Sequence, residues 1–351
     1  MANFGPKDIK KLRETTSAGM MDCKKALAET NGDFDEAVAW LREKGLGAAA
    51  KKANKVAAEG VVSVEVDDNK AVIVEVNSQT DFVAQNDVFK GVVAEITKHA
   101  FENNLADADA INNSTINGQP FSEYLSLQIA KIGENLVVRR AGMISSDDEN
   151  FAINGYVHAN SRVAVLLGAK CEDAETAKKV ATELKNIAMH AAAMSPSTLS
   201  YKDFDAQFVA DETAGRIEKV KKENEELTRL GKPLKNVPQF VSRQQLTDEV
   251  IAEAKKAIEA ELKAEGKPEK IWDRIVPGKL ERFISDNTLL DQELALLDQK
   301  YVMDDSVTVG EYIAKISDGK AEITEFIRLE VGEGIEVEEE DFAAEVAKQM
   351  A

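Results

Sequence analysis

The feature that most constrains this chain is a change of hydrophobic period. Residues 60–66 carry Val61, Val62, Val64 and Val66, and residues 71–76 carry Val72, Ile73, Val74 and Val76, with Asp67-Asp68-Asn69-Lys70 between them. β-branched residues suit a pleated surface, and a short Asp/Asn-rich connection between two such runs signals a hairpin. Beyond the polar connection 77–81, Phe89, Val92, Val93 and Ile96 recur at helical spacing. The unit is therefore hairpin, tip, helix. A similar order returns at 155–158, a turn at 159–161, a second run at 162–167, and a helical stripe through Ala181, Leu184, Ile187 and Ala191. This weak internal repeat predicts an α+β core of two related halves, residues 56–145 and 146–203.

Helical segments flank that core. At the start, Ile9 and Leu12, then Met20, Met21, Cys23, Ala26 and Leu27, then Phe34, Ala37, Val38 and Leu41 are separated by Thr16-Ser17-Ala18-Gly19 and Asn31-Gly32-Asp33. Three short helices over residues 1–55 are expected. Residues 46–55 are small and basic, which suits a linker or an exposed helix and sets the first boundary. Residues 204–300 are rich in Glu, Lys and Ala. Stripes through Ile217, Val220, Asn224 and Leu227 and through Ile251, Ala254, Ile258 and Leu262 predict a projecting helical hairpin, each stripe ending at a Gly-Lys-Pro stop. A pair of amphipathic helices packed on their own domain fits the same pattern. Residues 301–351 form a last module, with a strand over 321–331 and a helix carrying Phe342, Ala343, Val346 and Ala347.

With 351 residues, a formal net charge of -19 and a pI near 4.8, the chain repels a phosphate backbone on average, and no basic patch large enough to offset that field is seen. Direct nucleic-acid binding is not expected. No segment approaches the ~18 apolar residues that span a bilayer, and the first residues lack a secretory pattern. Cys23 and Cys171 form no C-x-x-C pair, which fits a reducing compartment. A cytoplasmic protein is expected. Catalytic signatures are missing too. No Gly-Lys pair is followed by Ser or Thr as a P-loop requires, His99, His158 and His190 have no metal-ligand spacing, and no G-x-S-x-G elbow occurs. A non-enzymatic binding or exchange factor without cofactor or metal is the class these residues favour.

Two short motifs stay open on sequence physics alone. In Thr80-Asp81-Phe82-Val83, Thr80 or Asp81 suits the N-cap of the following helix and Phe82 a hydrophobic contact near its start; a displayed partner-binding tip is the alternative. Met20 and Met21 are either helical core filler or an adaptable exposed contact.

Four collinear blocks go further. They are 12–16 with 18–27 (Leu12-Arg13-Glu14-Thr15-Thr16, then Ala18-Gly19-Met20-Met21-Asp22-Cys23); 79–84 (Gln79-Thr80-Asp81-Phe82-Val83-Ala84); 131–135 with Arg139-Arg140 (Lys131-Ile132-Gly133-Glu134-Asn135); and 330–336 with 341–346. Their order resembles the bacterial elongation factor Ts family, guanine-nucleotide exchange factors for elongation factor Tu. The resemblance implies an N-terminal ubiquitin-associated-like helical domain, a two-half core, an inserted helical hairpin often used in dimerisation, and a C-terminal module. It also implies that Thr80, Asp81, Phe82 and Val83 dislodge magnesium from elongation factor Tu. Arg13, Met20 and Met21 are implied as contacts to its nucleotide domain, and His158 as a contact to another domain. The expected function is release of GDP so that GTP can bind, the alternative being an adaptor or holdase that grips the GTPase without exchange. A homodimer through the insertion is a further implication, although residues 208–297 are longer than in the best-known members and match them poorly. After His158, Asn160-Ser161 stands where glycine is frequent in the family, and Asn tolerates the left-handed conformation that such a turn can need.

Overall fold

The computed structural model describes residues 4–16 and 18–336. Its contacts divide the chain into two compact units, one running to Gly168 and resuming at Ile327, the other spanning Ala169 to Phe326. The first unit opens with helices α1 (Pro6–Thr16), α2 (Met20–Glu29) and α3 (Phe34–Lys52). Leu12, Cys23, Ala26, Leu27, Ala37 and Leu41 are buried together, and the Asp33 carboxylate caps α3 by accepting the Glu36 N–H at 2.9 Å. Helix α3 runs on through the stretch that suited a linker or an exposed helix. Its small residues let it approach α7 (Phe121–Ile132) closely: a Cβ on Gly45 would lie 3.0 Å from a Leu127 methyl, and Ala49 packs against the main core.

Strands β1 (Glu59–Val66) and β2 (Lys70–Ser78) form the expected hairpin, with Val66 opposite Ala71. The turn is held by Asp67, whose Oδ1 accepts the N–H groups of Asn69 and Lys70 at 2.9 and 2.8 Å. Strand β5 (Val137–Ser145) pairs with the other edge of β2, giving the antiparallel order β1-β2-β5. Because β2 is central, both its faces are buried. Val72, Val74 and Val76 meet Phe89, Val92, Val93 and Ile96 of α5 (Asp87–Glu102), whereas Ala71 and Ile73 enter a second cluster with Ile153 and Leu166. Each large side chain so buried contributes about 1.5–3 kcal/mol. Between β2 and β5 lie α4 (Asp81–Gln85), α5, α6 (Ala108–Asn112), the short pair β3 (Thr115–Ile116) and β4 (Gln119–Pro120), and α7. Strand β6 (Phe151–Val157) follows. A second sheet has the order β10-β7-β6, to which β7 (Val163–Cys171) contributes as it leaves this unit and β10 (Ala321–Glu330) as it returns.

Glu75 lies on the second buried face of β2. A register shift between Glu75 and Val76 sets Arg140 opposite Glu75 and Val138 opposite Val76, so Arg139 is the extra residue of a bulge. Both guanidinium groups reach the same carboxylate. Arg140 Nε donates at 2.5 Å and Arg139 Nη1 at 3.3 Å, and the Gly332 N–H adds a third donor at 2.9 Å. A carboxylate with no solvent exposure needs this degree of pairing.

The second unit contains α8 (Ala174–Met194), α9 (Ala206–Arg229), α10 (Asp248–Ala264), α11 (Trp272–Asp286), α12 (Leu289–Leu294), a hairpin of β8 (Lys300–Tyr301) and β9 (Asp304–Thr308), and α13 (Val309–Ile316). Gly231 and Gly266, at φ 64° and 70°, stop α9 and α10 as expected. In each, the following lysine N–H reaches back to the leucine carbonyl that opens the last turn, Leu227 or Leu262, at 2.9 Å. The pairing of helices differs from expectation. Helices α10 and α11 pack along each other more extensively than α9 and α10 do. Val209 is the only described residue of α9 that is fully buried, and Asn224 of its stripe bonds Lys235 of the following loop in both directions, at 2.7 and 2.8 Å. No helix among the described residues is long and apolar enough to cross a membrane. The helix expected around Phe342 lies outside the described residues.

Candidate functional site

The site grows from the end of β2. The β1–β2 ladder stops at Ser78, opposite Glu59, and the β2–β5 ladder at Asn77, opposite Val137. The next peptide groups therefore need other partners. They find them on Glu134, in the turn after α7, where Gly133 takes the left-handed conformation (φ 91°) that ends the helix. Glu134 Oε2 accepts the N–H groups of Gln79 and Thr80 at 3.0 and 3.1 Å, and Oε1 accepts the Thr80 hydroxyl at 2.6 Å. The neighbouring Asn135 N–H donates to Gln79 Oε1 at 2.9 Å.

Thr80 is extended (φ -124°, ψ 153°) and caps α4, its oxygen accepting the Val83 N–H at 3.4 Å. The cap expected from sequence is thus present, but the rest of that account fails. Ala84 is buried and Val83 packs against the core, whereas Phe82 is 83% exposed, the most exposed large apolar side chain among the described residues. Asp81 beside it is exposed as well. A single exposed apolar residue is ordinary on a protein surface. What sets Phe82 apart is a ring without cover on a backbone tied down on both sides, since Asn86 caps α5 directly after α4 by accepting the Val88 N–H at 2.8 Å.

The other candidate residues lie elsewhere in the same unit. Met20 and Met21 open α2 at 58% and 73% exposure, off the stripe that buries Cys23, Ala26 and Leu27, so they are not core filler. Arg13 is exposed in the last turn of α1. His158 is exposed at the β6–β7 turn, its Nδ1 3.2 Å from the Tyr156 hydroxyl. The left-handed residue of that turn is Ser161 (φ 55°) rather than Asn160, whose side chain instead accepts the Arg162 N–H at 3.0 Å. Among the described residues no hydrogen bond, ion pair or ring contact joins these three places. Sequence reasoning gave Glu134 and Asn135 no role, although a carboxylate directly after a helix-ending glycine is well placed to accept backbone N–H groups.

For chemistry the arrangement offers recognition. Among the described residues no group of three or more His, Cys, Asp or Glu is placed to hold a metal ion. Burial pushes the thiols of Cys23 and Cys171 up, away from the reactive thiolate. A cleft of about 770 Å3 in the second unit is lined by charges of both signs; its Arg216 is already paired with Glu212 and Glu293. It contains none of the candidate residues.

A sequence model of the family described as elongation factor TS matches residues 79–237 and 234–333, beginning at the tip itself. The chain belongs to the elongation factor Ts family. The elongation factor Ts of Sulfurovum sp. (strain NBC37-1) is 69% identical over 354 aligned residues, covering 100% of each chain. That of Aliarcobacter butzleri (strain RM4018) is 58% identical, covering 100% of this chain and 99% of its own, and that of Campylobacter concisus (strain 13826) is 56% identical, covering 97% and 98%. The coverage extends across the helical insertion. Within this elongation factor Ts chain the sequence blocks pair in space. The tip block meets the Gly133-Glu134-Asn135 block, and Arg139-Arg140 meets Glu330 to Glu333 around Glu75.

Proposed function

We propose that this chain is a guanine-nucleotide exchange factor of translation elongation that acts in the cytoplasm. It binds elongation factor Tu carrying GDP, displaces the magnesium ion and promotes GDP release so that GTP binds. The observation that carries the reading is the exposed Phe82 ring on a backbone-anchored tip. In this reading Phe82 wedges between helices of the GTPase near its phosphate site, Asp81 competes for polar groups there, and Thr80 and Val83 hold the tip in shape. Arg13, Met20 and Met21 grip the nucleotide domain and His158 a further domain. Nothing covalent happens in this chain.

Energetics favour several contacts acting together. A nucleotide held at nanomolar affinity is bound by about 12 kcal/mol, and release is accelerated only by binding the nucleotide-poor state more tightly than the loaded one. A ten-thousand-fold effect needs about 5.5 kcal/mol of differential binding, more than the roughly 1.5–3 kcal/mol that burial of one Phe supplies. The exposed methionines are well suited to supply part of the remainder. The test is stopped-flow release of labelled GDP from elongation factor Tu against rising concentrations of the chain. The release rate is expected to climb to a plateau. A chain that co-migrates with the GTPase yet leaves the rate unchanged is the adaptor or holdase instead.

A further inference from the structure

The turn 133–135 is bonded to two segments far apart in sequence. On one side Glu134 and Asn135 hold Gln79 and Thr80. On the other, the Lys52 ammonium donates to the Gly133 carbonyl, and the Asn135 side-chain amide donates to the Lys55 carbonyl at 2.9 Å. Lys52 ends α3, the helix that packs along α7 and is further tied to it by the Arg42–Glu123 ion pair at 3.1 Å. The turn thus fastens the tip and the end of the N-terminal helical module to the same three residues. Hydrogen-bond accounting shows why a carboxylate stands here. Three donors converge on it: two N–H groups beyond the last ladder pair and one hydroxyl. That hydroxyl spends its hydrogen on Glu134, leaving its lone pairs for the Val83 N–H.

We propose that Glu134 is the positioning residue of the exchange tip. By replacing the missing ladder, it turns the chain out of β2 and holds Phe82 at a set place relative to the module bearing Arg13, Met20 and Met21. Glu134 itself acts through Phe82. The inference rests on the exchange reading above. It differs from a merely structural role, in which Glu134 would affect the protein whether or not the Phe82 ring is present.

A double-mutant cycle on the full chain tests it, with stopped-flow release of labelled GDP from elongation factor Tu as the readout. Glu134→Ala is expected to slow release about tenfold, the size of effect produced by losing a charge-assisted cluster that pre-organises a contact. In the Phe82→Ala background the same change is expected to add nothing, whereas in a Met21→Ala background it keeps its full effect. Glu134→Gln is expected to recover most of the rate, because its amide oxygen still accepts both N–H groups and its amide nitrogen can donate to the Thr80 oxygen. If Glu134→Ala does not fold, Thr80→Val, which keeps the shape and removes the hydroxyl, takes its place in the cycle with the same expectation. A wild-type rate for Glu134→Ala, or for Thr80→Val where it takes that place, or an equal slowing with and without Phe82, would overturn the inference while leaving the exchange reading intact. A wild-type chain that fails to accelerate release overturns both.

Discussion

Replacing Phe82 by alanine separates what the ring does for the fold from what it does for a partner. At 83% exposure the side chain contributes little burial to the free chain, so the unfolding free energy from urea titration is expected to stay within about 0.5 kcal/mol of wild type. In the complex the ring leaves water, and its loss removes about 1.5–3 kcal/mol. If all of that is expressed at the barrier, the plateau rate of GDP release falls roughly 10- to 150-fold. The variant is expected to retain measurable exchange, because a ten-thousand-fold acceleration draws on about 5.5 kcal/mol. Two outcomes refute the reasoning from opposite sides. A variant as fast as wild type shows that the ring is no wedge. A variant with no exchange at all, still folded and still bound, shows that the other contacts contribute nothing to release.

Two further predictions concern buried charge. Glu75→Ala takes one carboxylate from Arg139 and Arg140, which keep their bonds to Glu330 and Glu333, and leaves the Gly332 N–H without its acceptor; it is expected to cost about 1–3 kcal/mol in urea unfolding, with no measurable loss counting against the network. The second concerns His190, which is fully buried, with Nε2 3.0 Å from Gln299 Oε1 and the Val302 N–H donating to Nδ1 at 3.2 Å. Burial holds its pKa below the ordinary value. The unfolded chain therefore takes up the proton first, and stability that is present above pH ~6.5 is lost as the pH falls through it. Asp291 titrates in an overlapping range with the opposite sign. Burial pushes its carboxyl up to about 6, so the fold gains from its protonation as the pH falls. Wild type alone would therefore mask the histidine. Relative to wild type, His190→Gln is expected to gain stability on going from pH 7 to pH 5, with a limiting slope of ~1.4 kcal/mol per pH unit, and a flat difference in urea midpoints would remove the histidine from the account.

The sequence was most legible where a period had consequences on both sides of an element. The β-branched run in residues 71–76 specified a strand, and the Asp67 turn chemistry set its register with β1. Glycine stops at Gly231 and Gly266 were equally readable, since few residues but glycine adopt that backbone. Long-range pairing was not. The same helical period is compatible with α9 packing on α10 or with α10 packing on α11, and only the depth of burial distinguishes them. Residues 46–55 suited a linker or an exposed helix, and up to Lys52 they are exposed or half-buried helix. At the site, Thr80 announced itself as a cap, but the exposure of Phe82 depends on where α4 sits on the core, and Glu134 acts across 54 residues of chain. Ladder ends satisfied by a distant carboxylate leave no periodic trace.

The claim at the centre of the account is that the chain and GDP oppose each other on the GTPase. By linkage, a factor that expels GDP must itself be weakened by GDP to the same degree. The direct measurement is the equilibrium affinity of the wild-type chain for elongation factor Tu, once nucleotide-free and once saturated with GDP and magnesium. The account predicts binding weaker by at least about a hundredfold in the loaded form, a coupling of about 3 kcal/mol. Equal affinities would contradict it, because a ligand that binds both states equally shifts neither.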